Sequence, residues 1–217
     1  MTTTPIAPSP GVGSGSDQAV ADRPTAVALA PQVGEVLLHL AQAVVAATAS
    51  GHLREADLRS LMPAVAPAGL DSPAAAFVTL HEDDVLRGCV GCLAADEPLW
   101  QTVMTAAVGA ASRDPRFLPV TVQDVPYLTI DVSVLGPRVP LRDPAAFRPG
   151  LDGVLVERGD RRGLLLPEVA TEQGWGAVEM LETTCRKAGL PRDAWRDPGT
   201  DVFVFRTART SEAETAV

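Results

Sequence analysis

The most reactive side chains in this chain cluster in Leu86-Arg87-Gly88-Cys89-Val90-Gly91-Cys92, which carries two of the three cysteines and a glycine directly before each. A thiol can serve as nucleophile, metal ligand or redox partner, and each role demands a different neighbourhood. Arg87 stands two positions from Cys89, roughly 7 Å along one face of a strand, where its charge would favour a thiolate. Gly88 and Gly91 suggest a bulge or a close approach by a ligand or another backbone. Cys89 and Cys92 have chelating spacing, but no second CxxC or HxxxH accompanies them, which argues against zinc. A thioredoxin-like pair would open a helix, whereas Leu93-Ala94-Ala95-Asp96-Glu97-Pro98 separates Cys92 from the next one. The plain alternative is a buried hairpin whose cysteines pack as small hydrophobes.

The element that must position these groups is a hairpin. Phe77-Val78-Thr79-Leu80 reads as a strand, His81-Glu82-Asp83-Asp84 as a polar link, and Val85 onward as the return. A loop of Glu82-Asp83-Asp84 sets His81 opposite Val85, Thr79 opposite Arg87 and Phe77 opposite Cys89. Val78, Leu80, Leu86 and Val90 then share an apolar face, with Thr79, His81, Arg87 and Cys89 on the other beside Phe77 and Val85. A two-residue loop would mix Val78 with Arg87 and Thr79 with Leu86, so the longer loop is expected. His81 then lies on the order of 13 Å from Cys89, too far to be its base. Cys92 falls on the apolar face, so Cys89 is expected to be the more reactive thiol.

Around the hairpin, hydrophobic spacing marks further elements. Val33, Val36, Leu37, Leu40 and Val44 recur at helical steps in a helix ending near Gly51, and Arg54 to Met62 suits a short second helix. Pro98 to Ser112 reads as a helix with many alanines, closed by the turn Arg113-Asp114-Pro115-Arg116. Tyr127 to Leu135 alternates as a half-buried strand, with Thr129, Asp131 and Ser133 on its polar face and Asp131 as a carboxylate candidate. Gly153–Glu157 and Gly163–Leu166 form a second hairpin. A helix follows from about Gly174 to Ala188, with Trp175, Val178, Leu181 and Cys185 on one face, and Val202 to Phe205 make a final strand.

The expected fold class is α+β: a mostly antiparallel β-sheet packed by helices. Residues 1–30, rich in Thr, Pro, Ser and Gly, and residues 210–217 are expected to be disordered tails flanking one domain over 31–209. The net charge of −9 argues against a broad nucleic-acid footprint, and aromatics at 4% leave few stacking platforms. An odd number of cysteines, no secretory start and no uninterrupted apolar run of membrane length point to the cytoplasm.

Ordered motifs along the chain resemble the AMMECR domain family. FVTLHEDDVLRGCVG matches that family's strand leading into an LRGCxG motif. Ser112-Arg113-Asp114-Pro115-Arg116-Phe117, Gly163-Leu164-Leu165-Leu166-Pro167-Glu168-Val169-Ala170, Gln173-Gly174-Trp175 and Cys185-Arg186-Lys187-Ala188-Gly189-Leu190 extend the likeness over roughly residues 33 to 208. Cys92 departs from it, standing where a Ser or Thr is expected.

The resemblance implies a larger lobe and a smaller lobe with a cleft between them. It also implies a component of the bacterial AmmeMemoRadiSam system, whose companions are a Memo-like protein and a radical SAM enzyme. The chain itself carries no CxxxCxxC cluster motif, histidine-rich metal set, dinucleotide fingerprint or phosphate loop, so no cofactor or metal is expected. Two functions stay open. Cys89 is the candidate for thiol chemistry on a substrate shared within the system. Alternatively, an Arg87/Cys89-lined cleft only binds a small molecule, a peptide or a partner. Candidate binding residues are Thr79, Arg87, Gly88, Gly91, Arg113, Asp114 and Arg116.

Overall fold

The structure, a computed structural model, describes residues 23–51 and 68–212. The short helix expected over 54–62, residues 1–22 of the N-terminal tail and residues 213–217 lie outside the described residues. Helix α1 (Pro31–Ala49) opens on a proline, whose missing N–H would be unpaired there in any case. By length and composition α1 could cross a membrane, yet its Leu37, Ala41 and Val44 face is packed into the protein core. Residues 23–30 precede it without helix or strand, with Pro24 buried and Leu29 against the same core.

Strands β1 (Ala76–Glu82) and β2 (Val85–Cys92) form the first hairpin, and α2 (Leu99–Ser112) follows. Strand β3 is Leu128–Leu135 and β4 is Val139–Pro140. Strands β5 (Gly153–Arg158) and β6 (Arg161–Leu165) form the second hairpin. Helices α3 (Pro167–Gln173) and α4 (Ala177–Lys187) precede β7 (Asp201–Phe205) and β8 (Thr207–Ser211). Two antiparallel four-stranded sheets result, ordered β2-β1-β3-β8 and β4-β7-β5-β6. Helices α1 and α2 cover one face of the first sheet, where Val78, Leu80, Ile130 and Val132 join them in the largest core. Helix α4 packs on the second hairpin through Met180, Leu181 and Cys185. The chain is an α+β fold of a larger and a smaller lobe.

The first hairpin departs from its expected register. Its turn is only Asp83-Asp84, with φ of 49° and 63°. Aspartate tolerates that left-handed region, and such a turn matches the twist of the flanking strands. Glu82 pairs with Val85 and His81 with Leu86, after which the ladder skips Arg87 and pairs Leu80 with Gly88, Thr79 with Cys89 and Phe77 with Gly91. Arg87 is thus a bulge, and the bulge reconciles a two-residue turn with an apolar face. The pairs Thr79–Arg87 and Phe77–Cys89 do not form. Val78, Leu80 and Val90 keep to the helix side, while Leu86 turns to the other.

Two further elements differ from expectation. The helix expected from 174 to 188 starts only at Ala177, because Gly174, with φ 65°, caps a separate helix, α3, that ends at Gln173. Trp175 therefore leaves the helix and Val178 is exposed, while Cys185 is buried as its face required. Beyond the expected last strand, one residue, Arg206, carries the chain from the second sheet into β8, which pairs with β3 of the first. Glu212 extends this edge by accepting the Ile130 N–H at 2.7 Å, so order continues past residue 210.

Candidate functional site

The polar face of the first sheet carries a row of side chains at one register level. Cys89 on β2 pairs with Thr79 on β1, Thr79 with Asp131 on β3, and Asp131 with Ser211 on β8. Neighbouring strands lie about 4.8 Å apart, so the row crosses the sheet in steps of that size. It forms the floor of a cleft of ≈ 700 Å³. The opposite wall comes from the smaller lobe, with Leu164, Leu165 and Leu166 leading out of β6, then Val169, Trp175 and Lys187. A concave, largely apolar space with a few convergent polar groups is the usual form of a small-molecule site.

Cys89 is held from three sides. The Thr79 hydroxyl donates to its sulfur at 3.4 Å. Its backbone N–H donates to Asp114 Oδ2 at 2.9 Å, and its carbonyl accepts from Arg116 at 3.5 Å. The turn after α2 supplies this clamp: Arg116 donates to both oxygens of Asp114, at 2.9 and 2.6 Å. The Arg116 guanidinium, together with the backbone donors of Cys89 and Arg116, holds the buried Asp114 carboxyl down at about 2. Burial pushes the Cys89 thiol up, against the Thr79 hydrogen bond and the charges of Lys187 and Arg116. The thiolate expected from the sequence is therefore not favoured in the resting protein.

Arg87 does not share this site. The bulge sends its guanidinium to the 118–124 segment, where it donates to the Leu118 carbonyl at 2.7 Å and pairs with Asp124 at 3.4 Å. Arg113 also points elsewhere, donating to the Thr105 carbonyl at 3.5 Å. Cys92 is exposed and lies off the cleft. Gly88 and Gly91 are close-approach positions, but the neighbours are protein. A Cβ at Gly88 would lie 2.3 Å from the Ala110 carbonyl oxygen of α2, and one at Gly91 would lie 2.3 Å from the Phe77 ring. Of the candidate catalytic and binding residues, Thr79, Cys89 and Arg116 line the cleft and Asp114 supports it from beneath, while His81 and the carboxylate candidate Asp131 also line it.

The other end of the row holds groups that sequence spacing alone did not bring together. Asp131 is buried, accepts from Arg209 at 2.8 Å and lies 3.4 Å from His81 Nδ1. Burial alone would raise its carboxyl, but the hydrogen bonds of His81, Ser211 and Arg209 hold it below the ordinary value. The same Asp131 bond raises His81 against its own burial. Glu168 at the start of α3 is pushed up by burial while accepting from Ser133 at 3.3 Å. Asp131 was visible as a polar strand position; its partner Arg209 sits on β8, a strand that no apolar alternation marks. Among the described residues no group of three or more His, Cys, Asp or Glu is arranged to hold a metal ion.

A family model described as AMMECR1 matches residues 38–210. A protein of Methanothermobacter thermautotrophicus is 48% identical over 136 residues, spanning 60% of this chain and 71% of its own. One from Aquifex aeolicus is 40% identical over 136 residues, covering 59% of this chain and 70% of its own. The crystal structure of an uncharacterised protein from Pyrococcus horikoshii superposes with a TM-score of 0.76 at 35% identity, over 83% of this chain and 92% of that one.

Proposed function

The chain belongs to the AMMECR1 family, and from that premise we propose that it is the ligand-receiving component of a three-gene system, acting with a Memo-like protein and a radical SAM enzyme in the cytoplasm. A small molecule or a peptide end is seated between the two lobes against Cys89 for the partners to act on. The observation that carries this reading is the Cys89–Thr79–Asp131–Ser211 row on the floor of a ≈ 700 Å³ cleft, faced by an apolar wall from the other lobe. Such a cleft excludes water from one side of the ligand and orients it by hydrogen bonds on the other.

Two facts favour holding over reaction in the resting state. Burial lifts the Cys89 thiol, and His81 is committed to Asp131 rather than to the sulfur. The three free cysteines suit a reducing compartment.

Co-expression with the Memo-like protein and the radical SAM enzyme, followed by native mass spectrometry of the purified chain, tests the reading. A bound mass is expected on the wild type, and Gln173→Trp, which fills the cleft from an exposed position, removes it. A mass released by denaturation supports holding, and one retained on the Cys89 peptide supports thiol chemistry. No bound mass, or a mass indifferent to Gln173→Trp, overturns the cleft as the site.

A further inference from the structure

The Cys89 clamp leaves one chemical requirement open, and the smaller lobe meets it. A cysteine that reacts needs a group to take its proton. Arg116 is engaged by Asp114 and stays charged at every accessible pH, so it steadies charge without accepting a proton. His81 is engaged by Asp131. Lys187, the last residue of α4, lines the same cleft from the opposite wall, and its side chain makes no ion pair or hydrogen bond among the described residues. Its charge acts on the Cys89 sulfur more strongly than that of Arg116 does. The last turn of α4 is seated tightly on β6: a Cβ at Gly163 would lie 2.4 Å from the Thr184 carbonyl oxygen and 2.6 Å from the Ala188 nitrogen.

We propose that Lys187 and Cys89 form one proton-sharing pair across the cleft, the lysine amine taking the proton of the thiol. The inference rests on the cleft being the ligand-holding site and names the bond through which Cys89 would hold its ligand there. The S–H bond breaks and an N–H bond forms, leaving a thiolate beside an ammonium, with the Thr79 hydroxyl donating to the sulfur. The cleft walls act on the partners in opposite directions, desolvation raising the Cys89 thiol and lowering the amine of Lys187, a residue that is otherwise exposed. The other charged groups acting on both members are Arg116 and Asp114. The ligand class such a pair takes is a carbonyl compound, for which the step closes without any further reactant. The S–C bond forms as the C=O π bond breaks, and the proton held by Lys187 passes to the oxygen.

Interacting sites titrate in two macroscopic steps that belong to the pair. The test is the pH profile of Cys89 alkylation by iodoacetamide in the full-length protein, resolved by peptide mass spectrometry. The wild type is expected to show two steps. Lys187→Ala should give one step displaced to higher pH with slower labelling near neutrality, and Lys187→Arg one step displaced to lower pH. Reciprocally, Cys89→Ser should lower the titration midpoint of the Lys187 amine, followed by NMR of its Cε. Lys187→Met serves if Lys187→Ala fails to fold. A Cys89 profile unchanged in Lys187→Ala, a wild-type profile in Lys187→Arg, or a Lys187 titration indifferent to Cys89→Ser each overturns the pair. These readouts need no ligand, so a failure of ligand capture and a failure of the pair are separate results.

Discussion

Arg87 and Cys89 stand two positions apart on one strand, yet their side chains lead to different places: Arg87 to the Leu118 carbonyl and Asp124, Cys89 to the cleft. The bulge at Arg87 is the cause, since the extra residue breaks the alternation that would have set the two together.

The expected order of thiol labelling is therefore the reverse of the one the sequence suggests. Cys92 is exposed, Cys89 half-buried and Cys185 buried. With limiting iodoacetamide near neutral pH, Cys92 should label first, Cys89 later and Cys185 only on unfolding. Arg87→Ala should leave the Cys89 rate unchanged while costing about 1 kcal/mol of stability through its lost hydrogen bonds. Cys89 labelling ahead of Cys92, or slowing in Arg87→Ala, would return Arg87 to the site.

Asp114→Asn should destabilise the fold at pH 7 and lose its effect in acid. The carboxyl is held at about 2 against an ordinary 3.8, a gap corresponding to ~2 kcal/mol. Because the folded value is the lower one, this contribution is complete above pH ~4 and disappears as pH falls through the folded value. Urea unfolding of both proteins at pH 7 and near pH 2 checks it, and a difference that persists undiminished in acid would contradict the clamp.

The His81–Asp131 contact has the opposite sign. His81 is raised above 6.5, so its contribution is present below 6.5 and fades as pH climbs through the folded value. NMR titration of the imidazole should place its midpoint above 6.5, and Asp131→Asn should bring it down. A midpoint untouched by Asp131→Asn would show that the contact does not govern the ring.

Gly88→Ala should be among the most damaging small changes in the chain. The added methyl meets a backbone carbonyl at 2.3 Å, which cannot rotate away as a side chain could, and overpacking of this kind costs roughly 1–3 kcal/mol. Thermal melting should show a clear fall, with β2 displaced from α2. An unaltered midpoint would mean that the helix yields.

Much of this architecture was legible because it rests on local pattern. The helical spacing of Leu37, Leu40 and Val44, the alternation of Leu128 to Leu135 and the burial of Cys185 all follow from one period or another. The failures share a different origin. A bulge adds a residue without changing composition, so the partner of Cys89 was misjudged by two positions. Thr207–Ser211 has little apolar content and becomes a strand only because the edge of β3 is there to pair with it. Arg209 and Lys187 reach the cleft by tertiary routes that no spacing along the chain encodes, although Lys187 lies within one of the motifs that carried the family likeness.

The single-residue passage at Arg206 has a mechanical consequence. Its Nε lies 2.6 Å from Asp152 Oδ1 and its carbonyl accepts the Gly136 N–H at 2.8 Å. Two strands of different sheets are thus joined by a link with no slack, and the joint is bolted on both sides. The sheet that carries Cys89 and the lobe that carries Trp175 are thereby hinged on a single peptide unit, so the width of the gap between them is set at this joint as much as by the side chains that line it.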